Sequence, residues 1–275
     1  LGFDYIRAVS ALIPFAPGGY AFLEGVFPYS QGVVALPGFA IERARFARPV
    51  PMAEGFRRIA EFLAARDRPR TALCAAELRS PRPFSFGGFG EFNRGYVAVL
   101  EDWQIFRDGR NPVARSNVAP EVNPPAEPGF HAFCYTVPAP RGVASFVVAG
   151  SGEWPEGSRF PEDIVARGDL SPAGLAAKAR WVLDMMASRL RGLGASWDAA
   201  GVTQVYTVHD FHPLAREIAA RAGASTLVWN YCRPPIEEIE FEMDVRAVSV
   251  ERALAWPRAC PRPRGPRQGC PWACR

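Results

Sequence analysis

One order of secondary-structure elements is written twice along this chain. A β-hairpin, a helix, a strand, a helix and two closing strands are predicted from about residue 32 to 137, and the same order returns from about 143 to 250. This repeat constrains the fold more than any short motif, because each unit has to bury its own apolar face. Each is predicted as a mostly antiparallel sheet carrying two helices on one face, an α+β layer. The 275 residues suit two such units, placed at 1–140 and 141–253, with 254–275 as a tail.

In the second unit, Ser171 and Pro172 read as an N-cap followed by proline at the first helical position. Leu175, Ala179, Val182, Leu183, Met186 and Leu190 then recur at helical spacing up to a stop at Gly194. Residues 202–208 are β-branched and aromatic enough for a strand, 213–221 for a second helix, and 225–231 for another strand. The closing strand alternates strictly: Ile239, Phe241, Met243, Val245 and Ala247 on one face, Glu238, Glu240, Glu242, Asp244 and Arg246 on the other. Such an acidic face is expected to be solvated or to meet arginines across an interface, with one acid, Glu240, free to face a ligand. The first unit repeats the order with strands at 32–36 and 39–46, a helix at 52–65, a strand at 71–79, a helix at 89–103 and strands at 113–119 and 130–137. Met52, Phe56, Ile59, Ala60 and Leu63 form the buried stripe of its first helix.

Composition narrows the function. No apolar run approaches the ~20 residues of a membrane span, and residues 1–30 lack the pattern of a secretory signal, so a cytoplasmic protein without membrane contact is expected. Five of the arginines behind the formal +4 lie in the acid-free stretch 254–275. The rest of the chain is near neutral, which argues against a nucleic-acid footprint. That tail alternates Pro, Arg, Cys and Gly without apolar periodicity, and is expected to be disordered. The chain has one lysine, Lys178, and its arginine-rich composition suits GC-rich coding DNA, of which such a tail would be an out-of-frame product. Cys270 and Cys274 lack the second ligand pair of a zinc site. Cys74, Cys134 and Cys232 fall in strand patterns and read as small buried residues.

Other motifs are weak. Ser151 lacks a nucleophile elbow, and His209 is followed directly by Asp210, which cannot orient it as a triad acid does. His209 and His212 read as polar loop residues, and the glycines at 87, 88 and 90 have neither the lysine nor the spacing of a phosphate loop. Arg115 stands out because the corresponding place in the second unit, at or near Ser225, has no arginine.

Short segments in the right order carry a resemblance. In the first unit they are Pro28-Tyr-Ser-Gln-Gly-Val33, Phe92-Asn93 and Ala114-Arg-Ser-Asn-Val118. In the second they are Val147-Val-Ala-Gly-Ser151, Gly194-Ala-Ser-Trp-Asp198, residues 202–211 and Ile239-Glu-Phe-Glu242. The chain resembles two fused domains of the Rid/YjgF family, which have a chorismate-mutase-like fold, assemble as trimers and hydrolyse enamines and imines to ketones and ammonia. The resemblance implies a homo-oligomer and a small carboxylated imine, enamine or aminomuconate-like substrate. It implies Arg115 and Glu240 as catalytic residues, Tyr29, Asn93 and Ser116 as substrate-binding residues, and neither a metal nor an organic cofactor. Arginine suits the role because its planar guanidinium engages a carboxylate at two points and stays charged. A module that binds a metabolite or a protein without turning it over, and a different hydrolysis on the same scaffold, are the alternatives; fold analogy does not separate them.

Overall fold

The computed structural model describes residues 11–139 and 144–255. The break between 140 and 141 and the expected tail from 256 onward, with Cys260, Cys270 and Cys274, lie outside the described residues. The chain opens with β1 (Leu12–Phe15), β2 (Tyr20–Leu23) and β3 (Gly32–Ala35), then β4 (Phe39–Pro51), α1 (Met52–Ala64), β5 (Leu73–Arg79), α2 (Phe86–Asp102), β6 (Ala114–Pro120) and β7 (Gly129–Pro138). It continues with β8 (Phe146–Gly152), α3 (Pro172–Gly192), β9 (Val202–Tyr206), α4 (His212–Ala222), β10 (Thr226–Asn230), β11 (Cys232–Arg233), β12 (Glu242–Ala247) and β13 (Val250–Leu254).

The helices form where the apolar periodicity put them. Phe56, Ile59 and Leu63 of α1 and Tyr96, Val97 and Leu100 of α2 are buried against Ala44 and Phe46 of β4, Leu78 of β5 and Phe130 and Phe133 of β7. Ala179, Val182, Leu183, Met186 and Leu190 of α3, with Leu214 and Ile218 of α4, cover Phe146 and Val148 of β8, Val205 of β9 and Met243 and Val245 of β12. The helix α2 starts one turn earlier than expected because Ser85 caps it, its Oγ accepting the Gly88 N–H at 3.2 Å. None of the described helices is long and apolar enough to cross a membrane.

Two mixed sheets result. One runs β11-β6-β5-β7-β4-β13 and the other β1-β2-β3-β8-β12-β9-β10. Within them β6-β5-β7-β4 and β10-β9-β12-β8 follow the same order, each with one parallel pair, β5 with β6 and β9 with β10. The faces opposite the helices meet one another. Ile41, Cys74, Ala75, Ala114 and Cys134 from the first sheet pack with Tyr20, Phe22, Val33 and Ala149 from the second. The layers are therefore helix, sheet, sheet, helix, with small residues letting the two sheets approach. Cys74, Cys134 and Cys232 are buried free thiols.

The ends of the chain cross between the sheets, which corrects the expected hairpin. The strand β3 does not return along β4 but pairs with β2 and β8 in the other sheet. Gly38, at φ +86°, turns the chain from one sheet into the other. Conversely, β13 adds to β4 and β11 to β6, so segments late in the chain complete the first sheet. Leu254, expected to begin the tail, is the last residue of β13 and packs on the first core.

Part of the surface between the sheets is charged. Arg43 reaches Glu77 through two hydrogen bonds of 2.5 and 2.6 Å, and Glu251 of β13 accepts from both Arg43 and Arg246 at 3.3 and 2.8 Å. Asp244 accepts from Ser116, Gln204 and Tyr206 at 2.7, 3.0 and 2.8 Å. The Arg43 guanidinium holds Glu77 well below the usual carboxylate range against the opposing effect of burial. Burial, reinforced by Arg79, Arg43 and Arg45 and opposed by Glu77, pushes the nearby His131 down to about 3, so it is neutral at physiological pH.

Glu77→Ala leaves the Arg43 charge buried without its main partner, and is expected to lower unfolding stability by about 3–5 kcal/mol in urea titrations. The exposed Glu54→Ala on α1, whose ion pairs with Arg57 and Arg58 lie at the surface, is expected to leave the midpoint nearly unchanged.

Candidate active site

The strand β6 is paired along only part of its outer edge. Ser30 covers its first residue through a bridge to Ala114 and a backbone hydrogen bond to Val113 O of 2.9 Å. At the other end β11 covers Ala119 and Pro120. Between these a cavity of about 540 Å³ opens, and residues from both halves line it, Arg115 and Asn117 from β6 among them. Tyr29, Asn93 and Arg94 come from the first half and Gly150, Ser151, Trp154, Glu156 and Glu242 from the second.

Arg115 is 3% exposed and stands in an aromatic surround, its guanidinium carbon 4.9 Å from the Tyr29 ring centre and 5.0 Å from that of Tyr96. Phe89 and Phe92 complete the enclosure at 5.4 and 5.9 Å. Its Nη2 donates to Asn93 Oδ1 at 2.8 Å, while its Nη1 is buried without a hydrogen-bond partner among the described residues. Burial pulls the guanidinium down from its ordinary value, opposed by Tyr96, Tyr29 and Glu242. Asn117, two residues along the same strand face, has its Oδ1 satisfied by Ser80 at 3.0 Å but its buried Nδ2 unpartnered. Unsatisfied buried donors of this kind carry a desolvation penalty that an anionic ligand would relieve.

Glu242 opens β12 and enters the cavity from the second half. It is 4% exposed and makes no side-chain hydrogen bond or ion pair among the described residues. Burial first, then the neighbouring Asp244, raises its carboxyl well above the usual range, against the lowering effect of Arg79, Arg115 and Arg189. The backbone makes room for it: a Cβ at Gly150 would lie 2.2 Å from Glu242 Oε1. Glu156 is held by Arg189 at 2.9 Å, and Arg189 also donates to the carbonyls of Ala149 and Gly150 at 3.1 and 3.3 Å. That arginine comes from α3 and fixes the strand end on which Glu242 rests.

Of the residues expected at a site, the structure brings Tyr29, Asn93 and Arg115 around one cavity and leaves Ser116 and Glu240 outside its lining. Ser116 points to the opposite face of β6, as alternation requires, and donates to Asp244. Glu240 accepts from or donates to His209 Nε2 at 2.7 Å, according to protonation, on the outer side. The four acids read as one strand face occupy four environments. Glu238, at φ +72°, pairs with Arg167 at the surface; Glu240 meets His209; Glu242 lines the cavity; Asp244 lies between the sheets. The alternation begins only at Glu242, because the buried Glu153 carboxylate takes the N–H groups of Glu240 and Phe241 at 2.8 and 3.0 Å and holds them out of the ladder. Glu153 in turn meets Lys178 at 3.2 Å, both fully buried. His212 pairs with Asp210 at 2.6 Å, apart from His209 and its glutamate, and no cluster of metal-ligating side chains occurs among the described residues.

Residues 12–252 match the family described as 2-aminomuconate deaminase CnbZ. A 2-amino-5-chloromuconate deaminase from Comamonas testosteroni is 48% identical over 247 residues, covering 88% of this chain and 98% of the relative. A chorismatase is similar in structure with a TM-score of 0.46 at 12% identity, over 86% of this chain and 78% of that one. The YjgF gene product of E. coli gives a TM-score of 0.28 at 18% identity, over 38% of this chain and 80% of that one.

A carboxyl kept protonated in the fold but ionised in the unfolded chain lowers stability as pH rises from the ordinary carboxylate range through its raised value. Glu242→Gln is therefore expected to be more stable than the parent at about pH 8 and equal to it at about pH 4, read by thermal unfolding. Gly150→Ala is expected to displace the Glu242 carboxyl and reduce kcat, while a carboxylate ligand still quenches or shifts the aromatic fluorescence around Arg115.

Proposed function

The chain belongs to the 2-aminomuconate deaminase CnbZ family, and on that premise we propose that it hydrolyses a conjugated 2-amino or 2-imino carboxylate of the aminomuconate type to the 2-oxo acid and ammonia. The observation that carries this reading is the buried Arg115 with its unpartnered Nη1, facing a cavity that also contains a carboxyl raised into the range of a general acid. Arg115 and the Asn117 amide hold the substrate carboxylate. Asn93 serves as a positioning residue, because its Oδ1 is occupied by the guanidinium it orients.

The chemistry then needs one proton-handling group. Protonated Glu242 delivers its proton to the enamine, giving the iminium form whose carbon is electrophilic. The resulting carboxylate takes a proton from water as the water oxygen bonds to that carbon. It passes that proton to nitrogen and takes up the hydroxyl proton as the C–N bond breaks, so that C=NH2+, water and the carboxylate become C=O, NH3 and protonated Glu242. Arg115 neutralises the carboxylate beside the reacting carbon, which keeps that carbon electrophilic toward water.

The matching order of the four core strands supports reading the two halves as copies of one unit of the Rid/YjgF kind, with the first supplying the arginine and the second the acid. A homo-oligomer, with the trimer of that family as the first expectation, is supported by the edge position of β10 among the described residues, with Trp229 exposed in it and Tyr231 exposed beside it.

With 2-aminomuconate as substrate, Arg115→Ala is expected to lower ammonia release on the order of a hundredfold with the fold intact by circular dichroism, and Arg115→Lys to restore little of it. A folded Arg115→Ala variant of full activity would remove this site from consideration, and product formation without ammonia would point to a different hydrolysis.

A further inference from the structure

We propose that Arg94 is a specificity-determining residue that binds the second, distal carboxylate of a dicarboxylate substrate, so that the cavity selects flat diacids over monoacids. The inference rests on the deaminase reading above and extends it to the far end of the ligand.

Two of the residues that line the cavity are cationic, Arg115 and Arg94. They stand at opposite depths: Arg115 is buried on the floor, whereas Arg94 is exposed at the mouth. Arg115 is carried by β6 and Arg94 by α2, where it is the neighbour of Asn93, the residue that turns inward to hold Arg115. The Arg94 side chain lies back along the helix, its Nη1 3.9 Å from where a Cβ would stand on the cavity-lining Gly90. Glycine there leaves the guanidinium free to sweep over the opening. Arg94 makes no ion pair with any described residue, unlike Arg57 and Arg58 on α1, which are tied to Glu54.

Much of the rest of the lining is apolar, Phe27, Phe86, Phe89, Trp154, Ile236 and Ile239, with Glu242 entering beside Arg115. The Phe86 ring is braced by Phe160, stacked at 4.5 Å, and by Trp154 at 5.8 Å. A ligand complementary to this cavity carries a negative charge at each end and an unsaturated, planar middle. A carboxylate engaged by an exposed arginine gains less than one at the buried site, so Arg94 acts on selection and binding while Arg115 acts on chemistry.

The test uses muconate and sorbate, six-carbon dienes that differ only in whether the second end is a carboxylate or a methyl group. Dissociation constants are measured by calorimetry on the full chain and on Arg94→Ala and Arg94→Lys. The parent is expected to bind muconate about 10–100-fold more tightly than sorbate. Arg94→Ala is expected to lose that margin with sorbate affinity unchanged, and Arg94→Lys to recover part of it. With 2-aminomuconate the Ala variant raises KM and leaves kcat nearly unaltered. Equal affinity of the parent for the two dienes, or a margin that survives in Arg94→Ala, would overturn the proposal. Absence of ammonia release by the parent would instead overturn the deaminase reading, leaving the muconate margin as a separate result.

Discussion

The charged seam between the two sheets is the constraint on which the rest of the structure depends. Sheets that pack face to face ordinarily meet through apolar side chains, and part of this interface does so, through Ile41, Cys74, Ala75, Val33 and Ala149. Another part buries Arg43, Glu77, Asp244 and Arg246. Each such charge is tolerable only with a partner in place, and the partners come from both halves of the chain: Ser116 on Asp244, and Glu251 on Arg43 and Arg246. The seam therefore fixes the register of one half against the other, and β13 locks it from the end of the described chain. Removing one partner disturbs both sheets together.

The cavity lies where that register brings the edge of β6 beside the ends of β8 and β12. Arg115 lines it from the first half and Glu242 from the second. Neither half alone holds both. Their electrostatics also depend on one another: Glu242 supports the charge on Arg115, and Arg115 partly offsets the burial that raises Glu242. Asp244, one alternation further along β12, belongs to the seam and still acts on Glu242 as a neighbouring negative charge. Structural charges and cavity charges thus share a strand, and Asp244 adds to the effect of burial on the Glu242 carboxyl.

Much of the local structure was legible in the sequence. The stripes of α1 and α3 were visible as apolar periodicity, and Ser171 with Pro172 marked the start of α3. Tyr29, Asn93 and Arg115 were recognisable from motif order, and they surround one cavity. What periodicity does not carry is sheet membership. The strand β3 has the pattern of a hairpin partner for β4, yet pairs elsewhere, since three residues containing a left-handed glycine serve either route. The acids of the closing strand were misplaced for a related reason. Alternation cannot show that Glu153, nearly ninety residues earlier by sequence, removes two N–H groups from the ladder. That shift puts Glu242 rather than Glu240 in the cavity. A signal for Glu242 was present in Gly150 and Gly152, glycines on a strand facing a closing acid, where a Cβ would collide with Glu242 and Ile239.

In the proposed reaction one ligand is held by Arg115 from the first half while its reacting carbon faces Glu242 from the second. A crystal structure of the protein with muconate bound tests it most directly. The account predicts a carboxylate on Arg115 Nη1 and the adjoining carbon beside the Glu242 carboxyl. Muconate bound away from Arg115, or on Arg115 with its adjoining carbon turned from Glu242, would contradict it.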